Sequence, residues 1–239
     1  MNGKFEIKKT GEKKFKSLYP MYYNDILKVY NMFDGVDYSQ SSMGCEYSLY
    51  SKLIETILIN KPNFILELGS GFTTYLMGSV IKNNNLNTKL LSLESEDVWF
   101  EWIKNNKLDL LDSVVKCNIK SWEENGKIFV KYIHDFEMNN VDLVFLDGPG
   151  HFNHEFDAGK CNIITHRWNK KCEESKKHIH EVKTSINYNY YDILVEQNKP
   201  VYCIIDGRPN TRSFYKDFLK EKKWDKMPMG KWEGVDTLQ

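Results

Sequence analysis

Apolar residues fall in two alternating rhythms from Glu46 onward. Leu49, Leu53, Ile54, Ile57 and Leu58 recur at helical spacing, and Asn60-Lys61-Pro62 ends that run. Phe64-Ile65-Leu66 then predicts a buried strand. A glycine turn at 69–71 leads into a second helix carrying Leu76, Met77, Val80 and Ile81 on one face, followed by an apolar strand at Leu90 to Leu93. Val98, Trp99, Trp102 and Ile103 suit an amphipathic helix, and Val114-Val115 a third strand. The run from Val141 to Leu146 is continuously apolar, as a parallel strand covered on both faces should be, and Val201 to Ile205 supplies a fifth. Strands alternating with helices predict an α/β fold, a doubly wound, mostly parallel sheet with helices on both faces and a ligand site beyond the strands' carboxyl ends. Functional residues should therefore follow Leu68, Leu93, Ile119, Leu146 and Ile205.

The remaining segments fit around this frame. Residues 1–45 are polar, aromatic-rich and irregular in period, an N-terminal extension with a short helix around Tyr23 to Phe33, and the alternating domain covers 46–239. Lys8-Lys9 through Lys16 reads as a solvated lead-in. The stretch 155–199 exceeds a simple crossover, and its polar, Lys/His-rich middle predicts a helical insertion over the site. A helix at Ser213 to Lys222 precedes Met229-Gly230-Lys231, where a closing hairpin is expected.

Basic and acidic residues balance at 33 each, so no global field draws the chain toward polyanions, which argues against a nucleic-acid partner. The five cysteines are odd in number and lack a Cys-x-x-Cys pair, favouring reduced thiols over a disulfide framework or zinc ribbon. No apolar stretch reads as a signal peptide or membrane span, so the expected compartment is the cytoplasm or an equivalent reducing space.

Glu67-Leu68-Gly69-Ser70-Gly71-Phe72-Thr73-Thr74 follows a strand and opens a helix, the setting of a nucleotide-cradling turn. A dinucleotide fingerprint wants a third glycine where Thr74 stands and has no need of Glu67. Between about Met43 and Phe218 the chain resembles the class I, Rossmann-like S-adenosylmethionine-dependent methyltransferases, whose first motif is an acidic residue followed by Gly-x-Gly. The resemblance implies that the turn at Gly69, Ser70 and Gly71 meets the methionine portion of S-adenosylmethionine, with Glu67 near its amino group and the Thr73 or Thr74 hydroxyl receiving its carboxylate close to a helix N-terminus.

The later strand ends extend the resemblance. Glu94 ends the second strand, where a carboxylate accepts hydrogen bonds from both ribose hydroxyls. Trp122 is the candidate adenine cover, with core packing as its alternative. Asp147-Gly148-Pro149-Gly150-His151 should face the transferred methyl group, and it looks more like O-methyltransferases of small molecules or sugars than the Asp/Asn-Pro-Pro-aromatic enzymes of exocyclic amines. Asp206-Gly207-Arg208 puts a second carboxylate at the neighbouring tip. In catechol-type O-methyltransferases aspartates at these two ends hold Mg²⁺ or another divalent cation, which makes Asp147 and Asp206 the candidate metal ligands. Here Gly207 replaces that family's Asn, and its catalytic Lys would fall at Gly150, leaving Asn210 and His151 as substitutes. Without metal, Asp147 or His151 serves as general base. Arg208 and Arg212, with Lys160 and Arg167, either grip an acidic substrate group or decorate the surface, and a turn with a local ion pair is the alternative for Asp206-Gly207-Arg208. The expected activity is methyl transfer to a hydroxyl of a small polar acceptor, sugar or glycan. RNA ribose 2′-O-methylation and a catalytically silent cofactor-binding domain are the alternatives.

Overall fold

A computed structural model describes residues 11–32, 47–105, 113–149, 185–197, 201–206, 208–218, 224–226 and 236–238. The order is α1 (Glu12–Leu18), α2 (Pro20–Met32), α3 (Tyr47–Asn60), β1 (Phe64–Leu68), α4 (Phe72–Asn83), β2 (Lys89–Glu94), α5 (Asp97–Asn105) and β3 (Ser113–Lys116). There follow β4 (Asn118–Glu124), β5 (Lys127–Ile133), β6 (Leu143–Leu146), β7 (Ile186–Asn187), α6 (Asn189–Glu196), β8 (Tyr202–Ile205), α7 (Pro209–Phe218), β9 (Trp224–Lys226) and β10 (Asp236–Leu238).

The main sheet runs β3-β2-β1-β6-β8-β10-β9. Its first five strands are parallel and follow the 3-2-1-4-5 order of a doubly wound nucleotide fold. At the far edge the sixth parallel strand of a dinucleotide fold is replaced by β10, antiparallel to both β8 and β9. The closing antiparallel pair thus brackets the expected turn at 229–231, which itself lies outside the described residues. Order reverses between β1 and β6, so the switch point, where such sheets bind ligands, lies above the tips of β1, β2 and β6.

Alternation along each buried strand feeds two cores. Ile65, Leu143, Phe145 and Ile204 point to the face covered by α3 and α4, while Leu66, Leu68, Val144, Leu146, Cys203 and Ile205 point to the other. Both faces are apolar because helices cover one and a second layer covers the other. That second layer departs from the expected arrangement. The third strand stops at Lys116, and Ile119 lies in β4, which pairs with β5 across the two-residue turn Asn125-Gly126 and joins β7 in a separate sheet, β4-β5-β7. Asn125 and Gly126 both have positive φ, 51° and 71°, as a type I′ hairpin turn requires.

Two further features concern the segments outside the regular alternation. Residues 12–32 form α1 and α2, whose Phe15, Ile26 and Val29 are buried in the core shared with α3 and α4. Lys13, Lys14 and Lys16 are the solvent face of α1, so the basic run is half of an amphipathic pattern. Of the stretch 155–199, residues 185–197 are described and carry a strand and a helix, β7 and α6, with Ile186, Tyr190 and Ile193 buried; the rest lies outside the described residues. Among the described residues no helix is long and apolar enough to cross a membrane.

Candidate functional site

The turn between β1 and α4 is built on two buried carboxyls. Glu67, expected beside the cofactor's amino group, lies beneath the turn with no solvent exposure. Its Oε1 accepts from Thr73 Oγ1 at 2.6 Å, and its Oε2 from Thr74 Oγ1 and from Ser92 Oγ, each at 2.5 Å. Ser92 is its register partner on β2, so the carboxyl bridges strand and helix. Thr74 Oγ1 also accepts the Gly71 N–H at 2.8 Å, closing the turn. Thr73 and Thr74 therefore brace the turn, and their hydroxyls are committed to Glu67 instead of to a ligand carboxylate. Burial is the main cause that pushes the Glu67 carboxyl up to about 8, with the three hydroxyls opposing it.

Glu94 ends β2 as expected and is 3% exposed. Its Oε2 accepts from the Ser70 amide at 2.8 Å and the Ser70 hydroxyl at 2.7 Å, while Oε1 accepts from the Ser95 and Glu96 amides, both at 2.7 Å. The carboxylate expected to hold a ribose thus ties the glycine turn to the start of the β2–α5 loop. Burial raises its pKa, and the hydrogen bonds from Glu96, Ser70 and Ser95 pull the other way.

Gly69 and Gly148 bring the β1 and β6 tips into backbone contact. Gly69 has φ +96°, and a Cβ there would stand 2.5 Å from the Gly148 nitrogen. The Asp147 amide donates to the Leu68 carbonyl at 2.8 Å, and the Gly148 amide donates to the same oxygen. A cis peptide joins Gly148 to Pro149. Asn187 of β7 secures the loop from the second sheet, its Nδ2 donating to the Gly148 carbonyl at 2.7 Å.

Asp147 and Asp206 extend adjacent parallel strands, since Leu146 pairs with Ile205 and the Asp206 amide donates to the Leu146 carbonyl at 3.0 Å. Their proximity is offset by Arg208. Its side chain is 4% exposed against 37% for Asp147; Nη1 donates to the Pro149 carbonyl at 2.6 Å and Nη2 stands 3.7 Å from Asp147 Oδ1. The ion pair thus crosses to the tip of β6. A divalent ion about 2.1 Å from that Oδ1 would lie within about 6 Å of the guanidinium, a repulsion of roughly 6 kcal/mol at an effective dielectric near 20. Among the described residues no group of three or more His, Cys, Asp or Glu side chains is placed to hold a metal. The guanidinium thus already supplies a positive charge beside Asp147. Enclosure raises the Asp147 pKa, and Arg208 opposes the rise.

Trp122 lies on β4, stacked on Phe129 at 5.5 Å between centroids and edge-on to Tyr188 at 5.1 Å. It is partly exposed and belongs to neither core. The residue that adjoins the end of β3 is Cys117, whose amide donates to the Glu94 carbonyl at 2.8 Å. His151 lies outside the described residues.

Tyr132 is the cleft residue that sequence reasoning missed. It sits on β5, is 1% exposed, and packs with Leu68, Leu93 and Leu146. A Cβ on Gly148 would collide with its hydroxyl, and the charges that act on it are those of Glu94, Asp147 and Arg208. Asn189 fixes its backbone, Oδ1 accepting the Tyr132 amide at 2.9 Å and Nδ2 donating to its carbonyl at 3.2 Å. Burial pushes the phenol well above its ordinary pKa, so it is a neutral hydroxyl.

Solved structures of methyltransferases share this fold. Cofactor-bound Rv0187 from MTB matches with a TM-score of 0.51 at 11% identity, over 96% of this chain and 94% of that one. A putative O-methyltransferase from Klebsiella pneumoniae matches with a TM-score of 0.50 at 14% identity, again over 96% and 94%. The likeness shows the Rossmann-like methyltransferase fold. No protein-family model matches the chain, and no curated protein matches it.

Proposed function

We propose that the chain transfers a methyl group from S-adenosylmethionine to a hydroxyl of a small polar acceptor, such as a sugar or glycan. The observation that carries this reading is the convergence of the glycine turn, Glu94 and Asp147 on three strand tips at the switch point of a methyltransferase fold. The positive end of α4 suits an amino-acid carboxylate, whereas the Gly69, Ser70 and Gly71 amides are given to the Leu93 carbonyl, Glu94 and Thr74 Oγ1; Glu94 stands at the β2 tip, where it would exchange its Ser70 bonds for those of a ribose diol.

Bound S-adenosylmethionine supplies an electrophilic methyl group on a sulfonium; orientation and proton removal fall to the chain. Asp147 is the half-exposed carboxylate beside the cleft, and its raised pKa moves it toward the range in which a carboxylate removes a hydroxyl proton effectively. Arg208 keeps that carboxylate paired and oriented. Tyr132 and the apolar tips Leu68, Leu93 and Leu146 exclude water around the turn.

Calorimetric titration with S-adenosylmethionine and S-adenosylhomocysteine tests the reading, with micromolar binding of both expected. Absence of binding up to millimolar concentration would overturn it. A second reading is a domain that binds cofactor without turnover. Normal cofactor binding with no product in a broad screen of hydroxylated acceptors would favour it.

A further inference from the structure

We infer that the Arg208 guanidinium occupies the electrostatic place of a divalent cation at the β6 and β8 tips, so that a fixed organic cation instead of a metal faces Asp147. The inference takes its chemistry from the methyl-transfer reading, whereas its cation test stands apart from that reading. Two carboxyl residues, Asp147 after Leu146 and Asp206 after Ile205, extend register-adjacent parallel strands. Arg208 follows Asp206 by two residues and turns back across the sheet to β6, where Nη1 bonds the Pro149 carbonyl and Nη2 faces Asp147.

The placement is built, not incidental. Pro149 follows Gly148, whose carbonyl accepts from buried Asn187, and the Asn187 amide in turn donates to Thr211 Oγ1 of α7 at 3.1 Å. Asn187 and Thr211 are 1% and 0% exposed. The acceptor for Arg208 is therefore fixed by the second sheet, and that sheet's anchor by the helix that begins right after Arg208. A guanidinium stays charged at every working pH and presents a planar fork of donors, so it supplies a permanent single positive charge without a metal's loading equilibrium. The same charge repels a dication from Asp147.

Titration of the full chain with Mn²⁺, followed by electron paramagnetic resonance and calorimetry, tests the inference. The wild-type protein should bind no Mn²⁺ that depends on Asp147, and its affinity for S-adenosylhomocysteine should be unchanged by chelator. Arg208→Gln should gain Mn²⁺ binding at least ten-fold tighter than wild type, and adding Asp147→Asn should abolish the gain. Arg208→Lys, which keeps a cation, should not gain it. Stoichiometric Mn²⁺ binding by wild type that disappears in Asp147→Asn overturns the inference, as does a folded Arg208→Gln that gains nothing. If Arg208→Gln fails to fold, the wild-type comparison with Asp147→Asn decides alone. Failure of S-adenosylhomocysteine to bind would sink the methyl-transfer reading and leave the cation result standing.

Discussion

Glu67 and Glu94 are both sealed carboxyls, Glu94 standing two positions beyond Ser92, the register partner of Glu67, yet their partners differ in kind. Glu94 accepts three backbone amides and one hydroxyl, and amides can only donate. Glu67 accepts three hydroxyls, each of which can turn and accept from a protonated carboxyl instead. Below about pH 4.5 the folded and unfolded chains both hold the Glu67 proton. Between there and about 8 only the folded chain keeps it, so stability falls as pH rises, and the loss is complete above about 8. The full span corresponds to about 5 kcal/mol. Glu67→Gln, neutral at every pH, should flatten this slope. Denaturant unfolding at pH 5 and pH 8.5 checks it, and equal slopes for the two proteins would rule the account out. The acidic and glycine positions were legible from sequence because a strand followed by Gly-x-Gly leaves few conformations. The inward turn of Glu67 was not, since it depends on Ser92 arriving beside it from a strand 25 residues later.

At the scale of elements, the central strands could be read because burial on both faces leaves continuous apolar runs such as Leu143–Leu146. The second sheet was hidden for the opposite reason. β4 is a half-exposed edge with Lys120, Glu123 and Glu124 among its residues, and β7 is two residues long, so neither shows a clear period. The turn Asn125-Gly126 was the available signal, since that dipeptide between candidate strands marks a two-residue hairpin. Its neighbour in importance is Asn189, which is fully buried and pairs both backbone groups of Tyr132. Asn189→Ala leaves a buried amide and carbonyl without those partners and should cost about 1–3 kcal/mol. Because the Tyr132 hydroxyl lies against Gly148, the same variant should also weaken S-adenosylhomocysteine binding several-fold. Unfolding and calorimetric titration of one preparation measure both effects, and unchanged affinity would detach the hairpin from the site.

Across the whole molecule, the N-terminal helices belong to the packed body of the protein. Phe15 is fully buried with its ring 5.2 Å from Tyr47, 5.4 Å from Tyr19 and 6.2 Å from Tyr50 between centroids. Phe15→Ala should therefore cost about 3–5 kcal/mol, whereas a frayed lead-in would lose almost nothing. Thermal and denaturant unfolding distinguish the two. The chain's lysine-rich start concealed this, because a seven-residue helix shows a single apolar anchor between charged neighbours and offers no repeat to count.

Tyr132 reaches the strand tips from a hairpin whose ladder bonds run to its own small sheet, not to the large one. The roof over the turn and its foundation are therefore separate pieces of masonry. Exchanging the hairpin, or shortening the side chain at position 132, would re-cut the cover over the β1 and β6 tips while the seven strands below stand as before, which makes that hairpin the natural place to alter what those tips admit.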